Sequence, residues 1–589
     1  MHRFLFAADH RATLGRCPMT GWRWLCAGLV FVAVSTTAAA GLGQLTGGLR
    51  EVHAWLAFGA GLAAGFATWS RSNAPRQKIT LADGILFGIF AIASLRAFLW
   101  VIYEQGNEIR VLSPHNLGDM SLHLNLIRRW AAGGDFWPEN PFMSGAIFPY
   151  HPGMDLWNAL LAITGVPVFE GLRWAGLLGA AATAAALWRW GRGFAVAAFL
   201  FAGGISALAL FFGVPYSATE EGVVWKNLFL AMFVTQRGLL YSLPAGLVLL
   251  SVWRAQLRGD NEGPKLVLPA QVALYATMPL FNAPAFLFLS AVLGACFAAA
   301  WKTGRVRSFF AVGAASVIPA TWLVAMVTGN FTAHSALRFL PSWMPEIAGT
   351  WFWLWNFGLL LPLLLVLGYV VLRPGGGDAA ARVFYLTGAG TWVFCFLFAI
   401  APWPWDNTKL IIWGYLALVP LLWTQLIGRW PVLWRAAGCL ALFASGAVTL
   451  AAGLGRQHGY TLGNRAELAG TGFLLRPVPA DARVACLPLY NHPVLLLGQP
   501  VVMGHDGHLF SQGLDYGKVQ RNLDTLMSGA GGWKNAAREL QVRYLLWGPR
   551  EEAKWPSSVQ PWRNCAQPVA ASENYGTLYF ILPCLLGEE

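Results

Sequence analysis

Between residues 119 and 155 the chain carries Asp119, His123, Asp135, Glu139, His151 and Asp155, although only 12% of its residues are charged. Carboxylates and imidazoles gathered in this way suit proton transfer. A carboxylate partly withdrawn from water holds its proton more tightly and serves as a general base near neutral pH. Asp119 and His123 are four residues apart, so on a helix they project the same way. Residues 119–132 suit a helix, with Leu122, Leu126 and Trp130 along one face and Gly133–Gly134 after it. At the start of that helix Asp119 has a plainer use, as an N-terminal cap. His123 beside carboxylates suits a divalent ion, or it is simply a hydrogen-bonded interfacial ring. A metal is therefore left open, and no other cofactor is indicated. "WPENP" (137–141) forms a stiff extended turn, because proline restricts itself and its predecessor. "YHPGMD" then presents His151 and Asp155 at the start of a second helix.

Those residues need a frame, and composition dictates its kind. The chain of 589 residues is 56% hydrophobic, with 30 Trp and 37 Phe, and its mean hydropathy is +0.50. Many segments reach the roughly 20 residues that cross a bilayer. Short alternating segments of a membrane barrel are not seen. The expected fold is an α-helical polytopic membrane protein of about thirteen spans: 22–43, 52–69, 81–103, 171–188, 193–213, 237–253, 266–282, 284–300, 308–328, 350–372, 383–401, 410–427 and 434–453. Alternate loops then collect the positive residues, from Arg3, Arg11 and Arg16 to Arg429 and Arg435. That side is cytoplasmic by the positive-inside rule. The net charge of +13 thus reports topology, and nucleic acid is not needed to explain it.

Three details fix this frame. Leu266 to Ala300 is too long for one span, and Asn282 and Pro284 place a turn there. "HPGMDLWNALLAITG" (151–165) is read as an interfacial helix, because counting it as a span would put Arg189 and Arg192 outside. The apolar stretch before "STTAAAG" is read as an uncleaved first span rather than a signal peptide. Arg96 within the third span is costly in lipid and must face protein or water.

The expected organisation is a two-span helical hairpin (1–80), a transmembrane core (81–453) bearing the first outer loop (104–170), and a small extracytoplasmic α/β domain (454–589). The long loops and the tail all fall outside, with the N-terminus cytoplasmic. Such a protein works on exported or lipid-linked material. Strands are expected in "ARVACLPL", "PVVMG", "VRYLLWG" and "GTLYFIL", with helices in "YGKVQRNLDTLMSG" and "WKNAARELQ". Cys486, Cys565 and Cys584 fall in the tail, where a disulfide can form. Their spacing selects no pair, and buried apolar cysteines are the simplest reading. "GHDGH" offers His505, Asp506 and His508 as metal ligands, although a glycine-supported turn is the commoner use of such a run.

A span followed by "GDMSLH", an amphipathic helix, "WPENP" and "YHPGMDLWNALL" resembles the first outer loop of the GT-C membrane glycosyltransferases, especially their bacterial mannosyltransferase-like branch. "TQRGLLYSLP" (235–244), "PLFNAPAFLFL" (279–289), "WPWDNTKLIIWGYLAL" (403–418) and "NHPVLLLGQPVVMGHDGHLFSQGLDYGKVQ" (491–520) extend the resemblance over most of the chain. It implies transfer of a sugar from a polyprenyl-phosphate carrier to an extracytoplasmic acceptor, generally with inversion. Asp119 then matches the base. His123 assists it, and Glu139, His151, Asp155 and Asp406 lie on the acceptor side. Lys409, Arg237 and Lys226 hold the donor phosphate, with Arg338 a weaker candidate. Two departures narrow the match: the loop has no Asp-Asp or Asp-Glu pair, and "WPWDN" interrupts the Trp-Trp-Asp of oligosaccharyltransferases. The competing classes are a lipid-linked saccharide flippase, which expects charges along a path through the membrane, and a non-catalytic envelope assembly protein.

Overall fold

The computed structural model describes residues 13–16, 19–215, 222–332, 337–346, 349 and 351–586; Arg3, Arg11 and Cys17 lie outside them. Among the described residues seven helices are long and apolar enough to cross a membrane, including Leu81–Leu99, Ala283–Ala300, Val306–Val327 and Val432–Leu454. Leu268–Phe281 and Leu360–Leu372 are shorter and apolar. The helices expose large apolar side chains such as Phe66, Ile92, Leu178, Ile318 and Leu365, which suits contact with lipid. The protein is a helical, multi-pass membrane protein.

Most of the expected spans fall on helix, and the departures have local causes. The helix α1 (Met19–Thr46) packs closely on α2 (Glu51–Arg71) because small residues face each other. A methyl at Gly61 would meet Ser35 Oγ and the Phe31 carbonyl, the small-residue interface typical of membrane helices. In α3 (Leu81–Leu99), Arg96 donates to the carbonyls of Leu454 and Arg456 at 3.1 and 2.6 Å and stacks on Trp100. It faces protein and caps the end of the helix Val432–Leu454. The expected span 193–213 is not a single helix. The helix Val168–Leu200 is broken at Gly191–Arg192, and the chain turns irregular before the short 3-10 turn Ser206–Phe212. Gly203 and Gly204 press against Gly446 and Trp355 there, leaving no room for side chains. The expected hairpin after Leu266 does form: Asn282 is extended and accepts from the Ala285 amide at 2.8 Å, opening the next helix.

Two helices of the loop 104–170 matter most. The helix α4 spans Asn116–Ala131, and α5 spans Gly153–Ile163. The residues of α5 from Gly153 to Leu160 are all buried, so the helix is wedged into the protein. Strands β1 (Tyr103–Gln105) and β2 (Glu108–Val111) pair antiparallel, and β2 pairs with β3 (Tyr460–Asn464). This sheet clamps the loop to the start of the C-terminal region.

The C-terminal region holds a four-stranded sheet in the order β6, β7, β5, β4, where β4 is Val484–Ala485, β5 is Tyr544–Trp547, β6 is Gln567–Ser572 and β7 is Gly576–Phe580. Only β4 and β5 are parallel. The expected helices are Gly517–Ser528 and Trp533–Glu539. "PVVMG" makes only isolated bridges, Val501 with Val484 and Met503 with Met143. Cys565 and Cys584 form a disulfide, which corrects the expectation of three apolar thiols; Cys486 is free and buried.

The loop and the C-terminal region are tightly joined. Asn125 donates to the carbonyls of Leu495 and Gln499, and Arg128 donates to that of Leu496 at 2.7 Å. Arg129 meets Asp481 at 3.0 Å, and the Gly504 amide donates to the Phe142 carbonyl at 2.7 Å.

Candidate functional site

Asp119 sits in the first turn of α4, three residues beyond its first residue, and therefore does not cap the helix; His115 holds the cap position. Its carboxylate instead accepts a hydrogen bond from Gln236 Nε2 at 3.3 Å. Burial raises its pKa above the usual carboxylate range, against the pull of His123 and Lys409, and the charges of Asp406 and Asp155 add to the rise. A carboxylate raised in this way is, in its ionised form, a stronger base than a free aspartate.

One turn along α4, His123 is buried, and its Nδ1 lies 2.8 and 2.9 Å from the two carboxylate oxygens of Asp155. Asp155, 2% exposed, belongs to the first turn of α5. The close packing of α4 on α5 thus assembles a buried histidine–carboxylate pair directly behind Asp119. Such a carboxylate fixes the ring's tautomer and orientation.

Arg237 is 2% exposed. One nitrogen donates to the Leu172 carbonyl at 3.2 Å, while among the described residues Nε and Nη1 have no hydrogen-bond partner. Tyr150 faces Asp155, Asp119 and Arg237; burial and the two carboxylates push its phenol pKa up, and Arg237 opposes this. Arg237 therefore lies at the floor of the site, facing the buried anion Asp155.

A third segment completes the group. The turn Pro404–Asn407 and the following helix carry Asp406 and Lys409, whose charged groups are 3.1 Å apart. Asn407 fixes this segment, donating to the Cys395 and Phe398 carbonyls and accepting from the Ile400 amide. Trp405 ties it to the Val224 carbonyl. Lys409 faces both Asp119 and His151. Burial, with Lys409 beside it, lowers the His151 pKa to about 4, so this ring is neutral at ordinary pH.

The structure thus brings together Asp119, His123, His151, Asp155, Arg237, Asp406 and Lys409. It leaves the others outside. Glu139 pairs with Arg483 at 3.3 Å, and its side chain is exposed. It belongs with Asp135, Arg129 and Asp481 at the joint between loop and C-terminal region. Lys226 lies with Arg456 beside His115 at the mouth of α4. Arg338 donates to the Pro402 carbonyl at 2.9 Å.

Sequence reading missed Gln236 and Tyr150, which carry no formal charge at neutral pH. "GHDGH" takes a different form from the glycine-supported turn favoured from sequence. Residues 506–511 are a short helix; His505 pairs with Asp506 at 3.0 Å, and His508 turns the other way, toward Gly118. Among the described residues no group of three or more His, Cys, Asp or Glu is arranged to hold a metal ion.

No family model matches the chain, and no curated protein matches it in sequence. Among solved structures it is similar to the apo oligosaccharyltransferase of Archaeoglobus fulgidus, at 12% identity over 79% of this chain and 69% of that one, with a TM-score of 0.40. It is also similar to ArnT from Cupriavidus metallidurans in the apo state, at 13% identity over 86% of this chain and 99% of that one, with a TM-score of 0.44. The same ArnT bound to undecaprenyl phosphate gives 14% identity, the same two coverages and a TM-score of 0.44.

Proposed function

We propose that this chain is a GT-C-like membrane glycosyltransferase that moves a sugar from a polyprenyl-phosphate donor to an acceptor on the outer face of the cytoplasmic membrane. The observation that carries this reading is the meeting of Asp119, its pKa raised by burial, with Lys409 and the His123–Asp155 pair, drawn from three separate segments of the chain. The first-loop and "WPWDNTK" motifs that resemble the family are the segments that meet.

In the reaction the acceptor hydroxyl attacks the anomeric carbon. A new carbon–oxygen bond forms as the bond to the carrier phosphate breaks, and the phosphate leaves with the electron pair. Asp119 takes the hydroxyl proton. Attack opposite the leaving group inverts the anomeric centre. Lys409 stabilises the charge gathering on the phosphate, a role for which its partly accessible ammonium is better placed than buried Arg237. Lys226 stands at the mouth of α4, where the carrier's anionic end would approach. His123, held by Asp155, shapes the wall behind the base. The C-terminal region is the extracytoplasmic domain in this reading.

The test is complementation of a deletion strain by wild type and by Asp119→Asn, read by mass spectrometry of glycolipids, surface polysaccharides and glycoproteins. The expected outcome is a sugar-sized mass that deletion removes and only wild type restores. Full restoration by Asp119→Asn would remove the base from the mechanism and favour a flippase or an assembly protein.

A further inference from the structure

The helix Asp506–Ser511 bridges two parts of the site. At one position His508 reaches the first turn of α4, where a methyl added to Gly118 would lie 3.3 Å from its Nε2. Two residues on, Phe510 packs edge-on to Trp403 with ring centroids 5.2 Å apart, just before the segment that carries Asp406 and Lys409. The placement is fixed: Asn140 of the loop donates to Gln512 at 3.0 Å, and Gly504 is bound to Phe142.

His508 is 8% exposed, yet among the described residues neither ring nitrogen makes a well-formed hydrogen bond. The Gly118 backbone is near enough to favour the charged ring slightly. Burial outweighs it and, with His505 and His123 adding to the fall, lowers the pKa to about 4, leaving a neutral imidazole. A buried ring with both nitrogens unanswered gives up hydrogen-bonding free energy, a cost that a bound hydroxyl can offset. Neutral imidazole offers one donor and one acceptor, which matches a hydroxyl. It does not match phosphate, which accepts only and favours cations. His505 packs edge-on to the ring with centroids 5.3 Å apart, Phe142 lies edge-on at 6.5 Å, and Tyr490 packs on the far side of His505.

We propose that His508 is an acceptor-binding residue: delivered by the C-terminal region, it hydrogen-bonds a hydroxyl of a saccharide acceptor next to Asp119. This rests on the glycosyltransferase reading and adds to it the acceptor class, a neutral sugar hydroxyl.

The experiment uses the full chain in lipid nanodiscs. The strain's own extracted, radiolabelled polyprenyl-phosphate sugars serve as donor, and graded amounts of deletion-strain membranes serve as acceptor. His508→Phe keeps the ring and removes both nitrogens; His508→Gln keeps a donor and an acceptor. The phenylalanine variant is expected to need at least tenfold more acceptor membrane for half-maximal transfer, with the maximal rate changed far less. The glutamine variant should recover most of that loss, and linkage analysis should find the new sugar on a sugar hydroxyl. Should the phenylalanine variant not fold, imidazole added to His508→Gly replaces it: rescue supports the proposal, and no rescue overturns it. Phenylalanine and glutamine variants equal to each other, whether both active or both impaired, would reduce His508 to packing, and a product linked to phosphate or protein would refute the acceptor class. Asp119→Asn in the same assay separates the two claims. If it transfers normally, the glycosyltransferase reading fails first; if it is inactive while His508→Phe behaves as wild type, only the present inference fails.

Discussion

Two buried histidine–carboxylate pairs are set in this chain at nearly the same distance and have opposite surroundings. His123 and Asp155 are 2.8 Å apart; His492 and Glu551 are 3.0 Å apart. Around the second pair everything is answered. Glu551 also accepts from the Leu487 and Gly548 amides, His492 Nδ1 accepts from Val494, and nearby Arg550 binds Glu467 through two nitrogens. Around the first pair, among the described residues, Arg237 Nε and Nη1, His151 Nδ1 and both nitrogens of His508 are left without hydrogen bonds. Native proteins satisfy nearly all buried polar groups, and a cluster of exceptions asks for a reason. A saturated pair holds a fold together; an unsaturated one is arranged for something that arrives. The cavity of 380 Å³ beside His492 and Glu551 is lined by groups already committed to each other, so its presence does not make that pair the reactive one.

The sharpest way to break this comparison is to mutate one acid in each cluster. Asp119→Asn should lower transfer by about 10²- to 10⁴-fold, the range for loss of a general base, with the melting temperature unchanged or raised, since a desolvated charge has gone. Glu551→Ala should do the reverse. The Leu487 and Gly548 amides and the His492 ring then lose their acceptor, at about 1–3 kcal/mol for each buried group left unsatisfied, read as lost folded protein, while the folded remainder works normally. If the two outcomes are exchanged, the assignment of site and scaffold is exchanged with them.

Asp155 tests whether the first pair is purely structural. Asp155→Asn removes the anion that both His123 and Arg237 face, and should destabilise the chain by about 3 kcal/mol and slow transfer by about tenfold or more. Adding Arg237→Gln removes the stranded cation. The double variant should regain much of the stability, a coupling typical of contacting charges, and little of the rate. Recovery of both together would mean that Asp155 acts only by balancing Arg237.

How far this contrast could be seen in the sequence depended on distance along the chain. Asp119, His123, His151 and Asp155 were legible because four acids and histidines crowd one loop of a charge-poor protein, and helix spacing aligns the first two. Lys409 and Asp406 stood out as polar residues between apolar runs. What the sequence left open each time needed a tertiary contact. Whether Arg237 faces lipid phosphate or a buried aspartate is set by the packing of α5, and Glu139 was claimed by Arg483 from over three hundred residues away. For His508 the sequence showed its neighbour His505 but not Gly118, which is remote in the chain. The Cys565–Cys584 bridge follows from sheet geometry that no spacing rule contains.

The two clusters should also differ in pH response. Burial raises the Asp119 pKa, so the base is protonated, and transfer falls, at a higher pH than an ordinary carboxylate would allow. The acid limb of the rate profile moves up, and Asp119→Asn abolishes that limb. For the second pair the signs concern stability. Burial alone would lower the His492 pKa, but Cys486 and Glu551 reverse this and raise it to about 10. That stabilisation is complete below the unfolded value of about 6.5 and is lost as pH rises toward 10. For Glu551 burial acts upward, yet His492 and the Leu487 amide hold the pKa below its usual value. Its share is present above the unfolded value of about 4.3 and is lost as pH falls below that. Thermal melting across pH 2 to 11 should therefore decline on both flanks, with the alkaline flank reduced in Glu551→Gln.

The smallest effect expected is at Gln236, and it asks how finely Asp119 is tuned. Its amide donates to the ionised carboxylate at 3.3 Å, a long contact and hence a weak one. A donor to the charged form holds a pKa down, so Gln236→Leu should raise that of Asp119 further. If the bond is worth about 0.5 kcal/mol, the acid limb moves up by about 0.4 pH units. Transfer would then drop less than threefold near the limb and not at all well above it. Because leucine leaves the carboxylate in place, a loss that persists at every pH would show that Gln236 touches a substrate as well as the base.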